Sequence, residues 1–201
     1  MKKMMFDDRF GLTKAVLRGS KTMTRRIVPS KLIQKAYDAV WHQNQNGELA
    51  DEELDALTDK MLISLAPFKT GETVALAQSY RTLLESEYLD PLTENEVLSL
   101  VEDIHPGCTN KLYVKPHLMP HRILILSIKV ERLRDISEDD CMREGIIRYT
   151  GYKNHVTYTY QNDEWGYETP REAFAALIDE ISGKGTWEKN PLVFTYYFSK
   201  I

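Results

Sequence analysis

The chain has 201 residues, 42% of them hydrophobic, with a net charge of −4 and two cysteines. That is enough apolar material for one proper core, and two cysteines, Cys108 and Cys141, are too few for a disulfide framework, so a reduced, cytoplasmic setting is expected. No apolar run has the length of a membrane span, and the acidic total argues against indiscriminate coating of nucleic acid.

The charge is unevenly spread. The first 35 residues hold ten Lys/Arg and two acids, against 16 and 28 in the remainder. A locally basic end on an acidic body suits a confined anionic or polar ligand better than a long phosphate track. Paired surface charge without function would look the same.

In chain order, Leu12 to Leu17 predicts a short helix with Leu12, Ala15 and Val16 on one face, stopped by Gly19. The stretch Gly19–Arg26, GSKTMTRR, follows it. In an extended strand Lys21 and Thr24 point to opposite faces; in a turn or helical conformation they meet on one side. A lysine so placed can serve as base for a threonine hydroxyl if burial or nearby cations lower its pKa, and Arg25 and Arg26 supply cations. A basic loop that grips phosphate, or does neither, fits the same residues.

Residues 31–43 and Asp51 to Leu65 predict two helices separated at QNQNG, an insertion at about 30–66. Lys69-Thr70-Gly71-Glu72 is a turn feeding a strand through Val74 and Leu76. Residues 81–104 are expected to be helical and acidic, and 105–110 a loop. His121 to about Arg134 predicts a long central strand with Leu124, Leu126, Ile128 and Val130 on one face. Ser137 caps a short helix ending at Gly145, and residues 147–168 have the alternation of a hairpin. Thr169-Pro170-Arg171-Glu172 is a helix start with a threonine cap, a first-turn proline and a capping-box glutamate. Phe174, Leu177, Ile178 and Ile181 form its stripe, and PLVFTYYFSKI closes the chain as a strand. Strands separated by local helices without βαβ alternation indicate an α+β, barrel-like fold.

His105, Cys108, His117 and His121 have spacings that zinc could use, but Pro106, Pro116 and Pro120 break the segment, and loop histidines without metal are expected. Cys141 lies among Asp139, Asp140 and Glu144, which raise a thiol pKa and favour an inert cysteine. No cofactor is expected.

GSKTMTRR resembles the Gly-x-Lys-x-x-Glu-x-Arg motif of the ASCH domain family in the PUA-like superfamily: Gly19, Lys21 and Arg26 match, and Thr24 stands where many members carry glutamate. PFKTGETVAL, the long strand with the short helix after it, and the C-terminal helix–strand resemble an uncharacterised bacterial and phage branch, in order over most of the chain. The resemblance implies a PUA-like (ASCH) mixed β-barrel with flanking helices, and a nucleoside, nucleotide or RNA ligand in its cleft. The Lys-Thr-x-Thr run is similar to that of small bacterial amidohydrolases of N4-acetylcytidine. This implies Lys21, Thr24 and Glu144 as catalytic residues, with Arg25 and Arg26 near the substrate. By position after the cleft strand, Gln78 and Ser79 are expected to hydrogen-bond a base and Tyr80 to stack on it. The alternative is a non-catalytic RNA- or nucleotide-binding module.

Overall fold

The computed structural model describes residues 1–44, 49–85, 90–151, 153, 155–160 and 166–201. It is an α+β fold built on a five-stranded mixed sheet of order β1-β3-β4-β7-β2, from β1 (Lys3–Met4), β2 (Met23–Ile27), β3 (Thr73–Leu76), β4 (Arg122–Arg132) and β7 (Leu192–Lys200). β1 runs parallel to β3, and the other neighbours are antiparallel. Among the described residues the sheet stays open rather than closing into the expected barrel. The reason lies in its edges: β1 contributes two residues and pairs with β3, while β2 pairs with β7, and the two do not meet. β5 (Ile147–Thr150) and β6 (Val156–Thr159) form a separate hairpin, within the expected stretch, of which residues 152, 154 and 161–165 lie outside the described residues.

Alternation along β3 divides the interior in two. Val74 and Leu76 enter the main core with Ile123, Ile125, Phe194 and Phe198. Ala75 and Ala77 face a second cluster of Tyr80, Leu83, Val97, Val114, Leu118 and Met119, as side chains of period two require. That cluster is covered by α4 (Tyr80–Leu84), α5 (Pro91–Glu102) and the 3-10 turns of 106–118. The predicted face of β4 is interrupted by a bulge at Leu126, which has no partner between the Ile125–Phe198 and Ser127–Tyr197 pairs. Leu126 is therefore exposed, and the core-facing set is Ile123, Ile125, Ile128 and Val130. An extra residue in one strand shifts every later side chain by one position.

α1 (Leu12–Leu17) lies before β2, and α2 (Ser30–Gln43) and α3 (Asp51–Leu65) form the inserted helical pair. Ala36 and Leu62 dock this pair on the main core, both fully buried. α6 (Glu138–Arg143) follows β4 and starts at Ser137, whose Oγ accepts from Asp140 N at 3.1 Å. α7 (Pro170–Ser182) has the reciprocal cap its sequence demands. Thr169 Oγ1 accepts from Glu172 N, and Glu172 Oε2 from Thr169 N, each at 3.2 Å. Its stripe of Ala173, Phe174, Leu177 and Ile178 is buried, and α8 (Thr186–Lys189) packs behind it through the Phe174–Trp187 edge contact. Among the described residues no helix is long and apolar enough to cross a membrane.

Candidate functional site

The end of α6 and the start of β2 meet because each supplies what the other lacks. A helix ends with unsatisfied carbonyls. Thr22 N donates to Arg143 O at 3.0 Å, and Lys21 Nζ donates to Glu144 O at 2.5 Å. Gly145 makes the approach possible: its φ of 103° turns the chain away, and a Cβ there would stand 3.3 Å from Leu12 and 3.6 Å from the Lys21 chain. Docked in this way, Lys21 Nζ also donates to Glu144 Oε2 at 2.7 Å, the two side chains being 2% and 5% exposed. Residues 123 apart in sequence become one buried ion pair.

Arg25 completes a polar cluster on this pair. Its Nη2 donates to Glu131 Oε1 at 2.7 Å and Asp140 Oδ2 at 3.2 Å, and its Nη1 to Glu144 Oε1 at 3.3 Å. Thr195, opposite Arg25 in the sheet, donates its hydroxyl to the same Glu131 oxygen at 2.7 Å. Burial works against the Arg25 charge, but Glu144, Glu131 and Asp140 outweigh it and hold its pKa above the usual value. Lys21 behaves oppositely. Burial pulls its pKa below that of a free lysine despite Glu144 beside it, with Arg26 and Arg25 adding to the depression.

Thr24 is in β2 rather than in a turn. Lys21 precedes the strand, so the two residues reach one cavity without the helical spacing that sequence demanded. The cavity holds about 260 Å³; its polar wall is Lys21, Thr24, Arg25, Arg26 and Glu144. Phe6 and Leu12 flank this wall, and α7 roofs it with Phe174, Leu177, Ile178 and Ile181. Thr24 is buried, but its hydroxyl makes no hydrogen bond to any described residue. Lys21 commits two of its three ammonium hydrogens, both to Glu144. Arg26 donates Nη2 to Met5 O at 2.7 Å and lies 5.8 Å from the Phe6 ring centre. Asp7, also in the lining, is held by Arg9 through Nε at 3.1 Å and Nη2 at 2.7 Å.

Gln78, Ser79 and Tyr80 do not line this cavity. α4 begins at Tyr80 and turns its ring into the second cluster, fully buried, with its hydroxyl accepting from Lys115 N at 2.8 Å. Ser79 is spent as the cap of that helix, accepting from Thr82 N at 3.2 Å. Gln78 is buried with its Oε1 unpaired. A serine three residues beyond a strand is as much a helix cap as a ligand group, and here the cap prevails. Sequence reasoning missed Asp140 and Glu131 as partners of Arg25. An arginine at the third position of a buried strand was the available signal, since such a charge must be paired.

His105 and Cys108 in the histidine-rich segment make local hydrogen bonds. His105 Nδ1 accepts from Gly107 N at 3.0 Å, and Cys108 Sγ donates to Leu100 O at 3.5 Å. No group of three or more His, Cys, Asp or Glu among the described residues is arranged to hold a metal ion. Cys141 is fully buried, and its thiol is pushed up to about 12, by burial first and by neighbouring acids only after that.

Larger clefts exist, of about 460 Å³ between α2 and α3 and about 570 Å³ beside α1. Among the described residues neither is lined by a buried ion pair. Comparison with protein-family models, curated proteins and solved structures finds no match for this chain.

Proposed function

We propose that the chain is a divergent PUA-like (ASCH) domain and an amidohydrolase of small acylated pyrimidine nucleosides, with Thr24 as nucleophile. The observation that carries this reading is the convergence, on one cavity, of the buried Lys21–Glu144 pair and the unclaimed Thr24 hydroxyl. A buried ion pair costs desolvation that its attraction scarcely offsets, so the pair is better explained by proton chemistry than by stability.

The pair supplies both partners of an acid–base reaction. Transfer of one proton from Lys21 Nζ to Glu144 turns an ammonium and a carboxylate into an amine and a carboxyl group, and the burial that depresses the Lys21 pKa favours that shift. The amine then takes the Thr24 proton as its oxygen attacks the acyl carbon. Glu144 delivers its proton to the exocyclic nitrogen as the C–N bond breaks, leaving an acyl ester on Thr24. Water hydrolyses the ester, Glu144 accepting the water proton and Lys21 returning one to Thr24. A 260 Å³ cavity falls just below the usual span of ligand sites, ~300 to 1,000 Å³. It suits a base with a short acyl group.

Incubation with N4-acetylcytidine and related N-acylated nucleosides tests the reading. Release of the free nucleoside and acid by the wild-type protein, with Lys21→Ala inactive, is the expected result; no turnover across the panel overturns it.

A second reading, an RNA- or nucleotide-binding module, is favoured by the cleft beside α1. There Arg9, Lys14 and Arg18 are exposed around Phe10 and Tyr160. Binding carried by this cleft would weaken steeply with salt and fall several-fold in Arg18→Ala. Salt-independent titration of a short single-stranded RNA would remove it.

A further inference from the structure

We propose that Arg26 is an anion anchor, and that the cavity under α7 is built for a small ligand bearing a carboxylate or phosphate group on a planar or apolar body. The proposal rests on this cavity being the ligand site, but not on hydrolysis taking place there.

The charged groups in the wall are not alike. Lys21 and Arg25 are both engaged by carboxylates at 3.3 Å or less. Arg26 has no carboxylate within 4.0 Å among the described residues, and a backbone carbonyl, Met5 O, is its hydrogen-bond partner there. Its Nε, like that of Arg25, is sealed and has no partner among the described residues, but its Nη1, also without a described partner, is not sealed. A guanidinium in a cavity wall with an open donor and no carboxylate against it is a place where an anionic acceptor fits. Burial also pulls the Arg26 pKa down, with Tyr196 and Glu144 only partly opposing it, so the charge is held at a cost that an anion would relieve.

The surroundings specify the ligand further. The lining carries three cationic side chains against two carboxylates, and both carboxylates are already bound, Asp7 by Arg9 and Glu144 by Lys21 and Arg25. The excess positive charge thus belongs to Arg26. A planar fork of N–H donors matches the two oxygens of a carboxylate or phosphate. In the same lining α7 offers the apolar side chains of Leu177, Ile178 and Ile181, with the Ser182 hydroxyl at its end. Ligands of this class include a pyrimidine carboxylate, a nucleoside monophosphate, and an acylated base whose acyl chain ends in a carboxylate.

Calorimetric titration with two matched pairs tests the assignment: orotate against uracil, and cytidine 5′-monophosphate against cytidine. At least one anion is expected to bind about tenfold or more tighter than its neutral partner. Arg26→Gln should abolish that preference, and Arg26→Lys, which keeps the charge without the fork, should restore part of it. Preference for orotate alone identifies a carboxylate ligand, and preference for the nucleotide alone a phosphate. Equal affinities within both pairs, no binding of any of the four, or a preference that survives in Arg26→Gln overturns the proposal. The wild-type titrations decide the matter even if Arg26→Gln does not fold. Anion binding without turnover of any acylated nucleoside would refute the hydrolase and leave Arg26 standing. Turnover of neutral acylcytidines with no preference for charge would do the reverse.

Discussion

Lys21→Met is expected to lower the unfolding free energy by about 3 to 5 kcal/mol, and Lys21→Met with Glu144→Met by much less. The single change leaves the Glu144 carboxylate buried without its ammonium and the Glu144 carbonyl, just past the end of α6, without its donor. Stranding one member of a buried pair costs that much, whereas removing both charges is often close to neutral. Arg25 still faces Glu144 at 3.3 Å, which places the single variant towards the lower end. In the double variant Arg25 retains Glu131 and Asp140, so no buried cation is left alone. Denaturant unfolding of the wild type, both single variants and the double variant gives the coupling directly. A double variant less stable than Lys21→Met would mean that packing, not charge, joins β2 to α6.

The same pair has a signature in pH. Burial depresses the folded pKa of Lys21 below the 10.5 of an unperturbed lysine. Between the folded value and 10.5 the unfolded chain binds the extra proton, so this residue makes stability rise with pH across that window. Cys141 and Tyr196, both pushed up to about 12 by burial, act in the opposite direction from about pH 9 and 10 upward. The Tyr196 contribution is common to wild type and variant, and Cys141 keeps its main cause, burial, in both. The difference between wild type and the Lys21→Met, Glu144→Met variant therefore isolates the lysine and its glutamate, and should grow in favour of the wild type on the alkaline side.

Much of the scaffold was legible because it is written in local chemistry. The cap of α7 is spelled out in four consecutive residues, Thr169 to Glu172, and the cap of α6 in Ser137 and the acids after it. Such rules need only neighbours three or four positions away. The bulge at Leu126 was not legible, since an alternating run carries no mark of the one residue that drops out of register. Nor was the destination of Tyr80, which depended on a helix start and on a cluster assembled from residues 97, 114 and 118. At the site, residue types singled out Lys21 and Thr24 and the family resemblance added Glu144, but the supposed requirement for a turn did not survive. The strand begins at Met23, and the meeting is arranged by the end of α6 and the space left at Gly145. Arg25 looked like a ligand grip from its charge alone, yet three carboxylates from β4 and α6 consume it. That leaves Arg26, its sequence neighbour on the opposite face of β2, as the cation of the wall that no described carboxylate pairs.

Thr24→Val separates reaction from architecture more cleanly than any change to the ion pair. Valine has nearly the shape of threonine and the same β-branched preference for a strand. Thr24 is paired with Tyr196 in the sheet, and its hydroxyl holds no described residue. The substitution is therefore expected to leave the unfolding free energy within about 1 kcal/mol of the wild type, because it strands no partner. If Thr24 is the nucleophile, hydrolysis of an acylated nucleoside should fall about a thousandfold or more, as happens when a covalent catalyst loses its attacking atom. Affinity for the substrate should change only a few-fold. Thr24→Ser should keep substantial activity, and quenched reactions of the wild type should show the acyl group as a mass increment on the peptide containing Thr24. A Thr24→Val protein that still hydrolyses substrate at a tenth of the wild-type rate or better would exclude the covalent route. In that case the Lys21–Glu144 pair would have to act on a water molecule, with Thr24 contributing no more than a hydrogen bond.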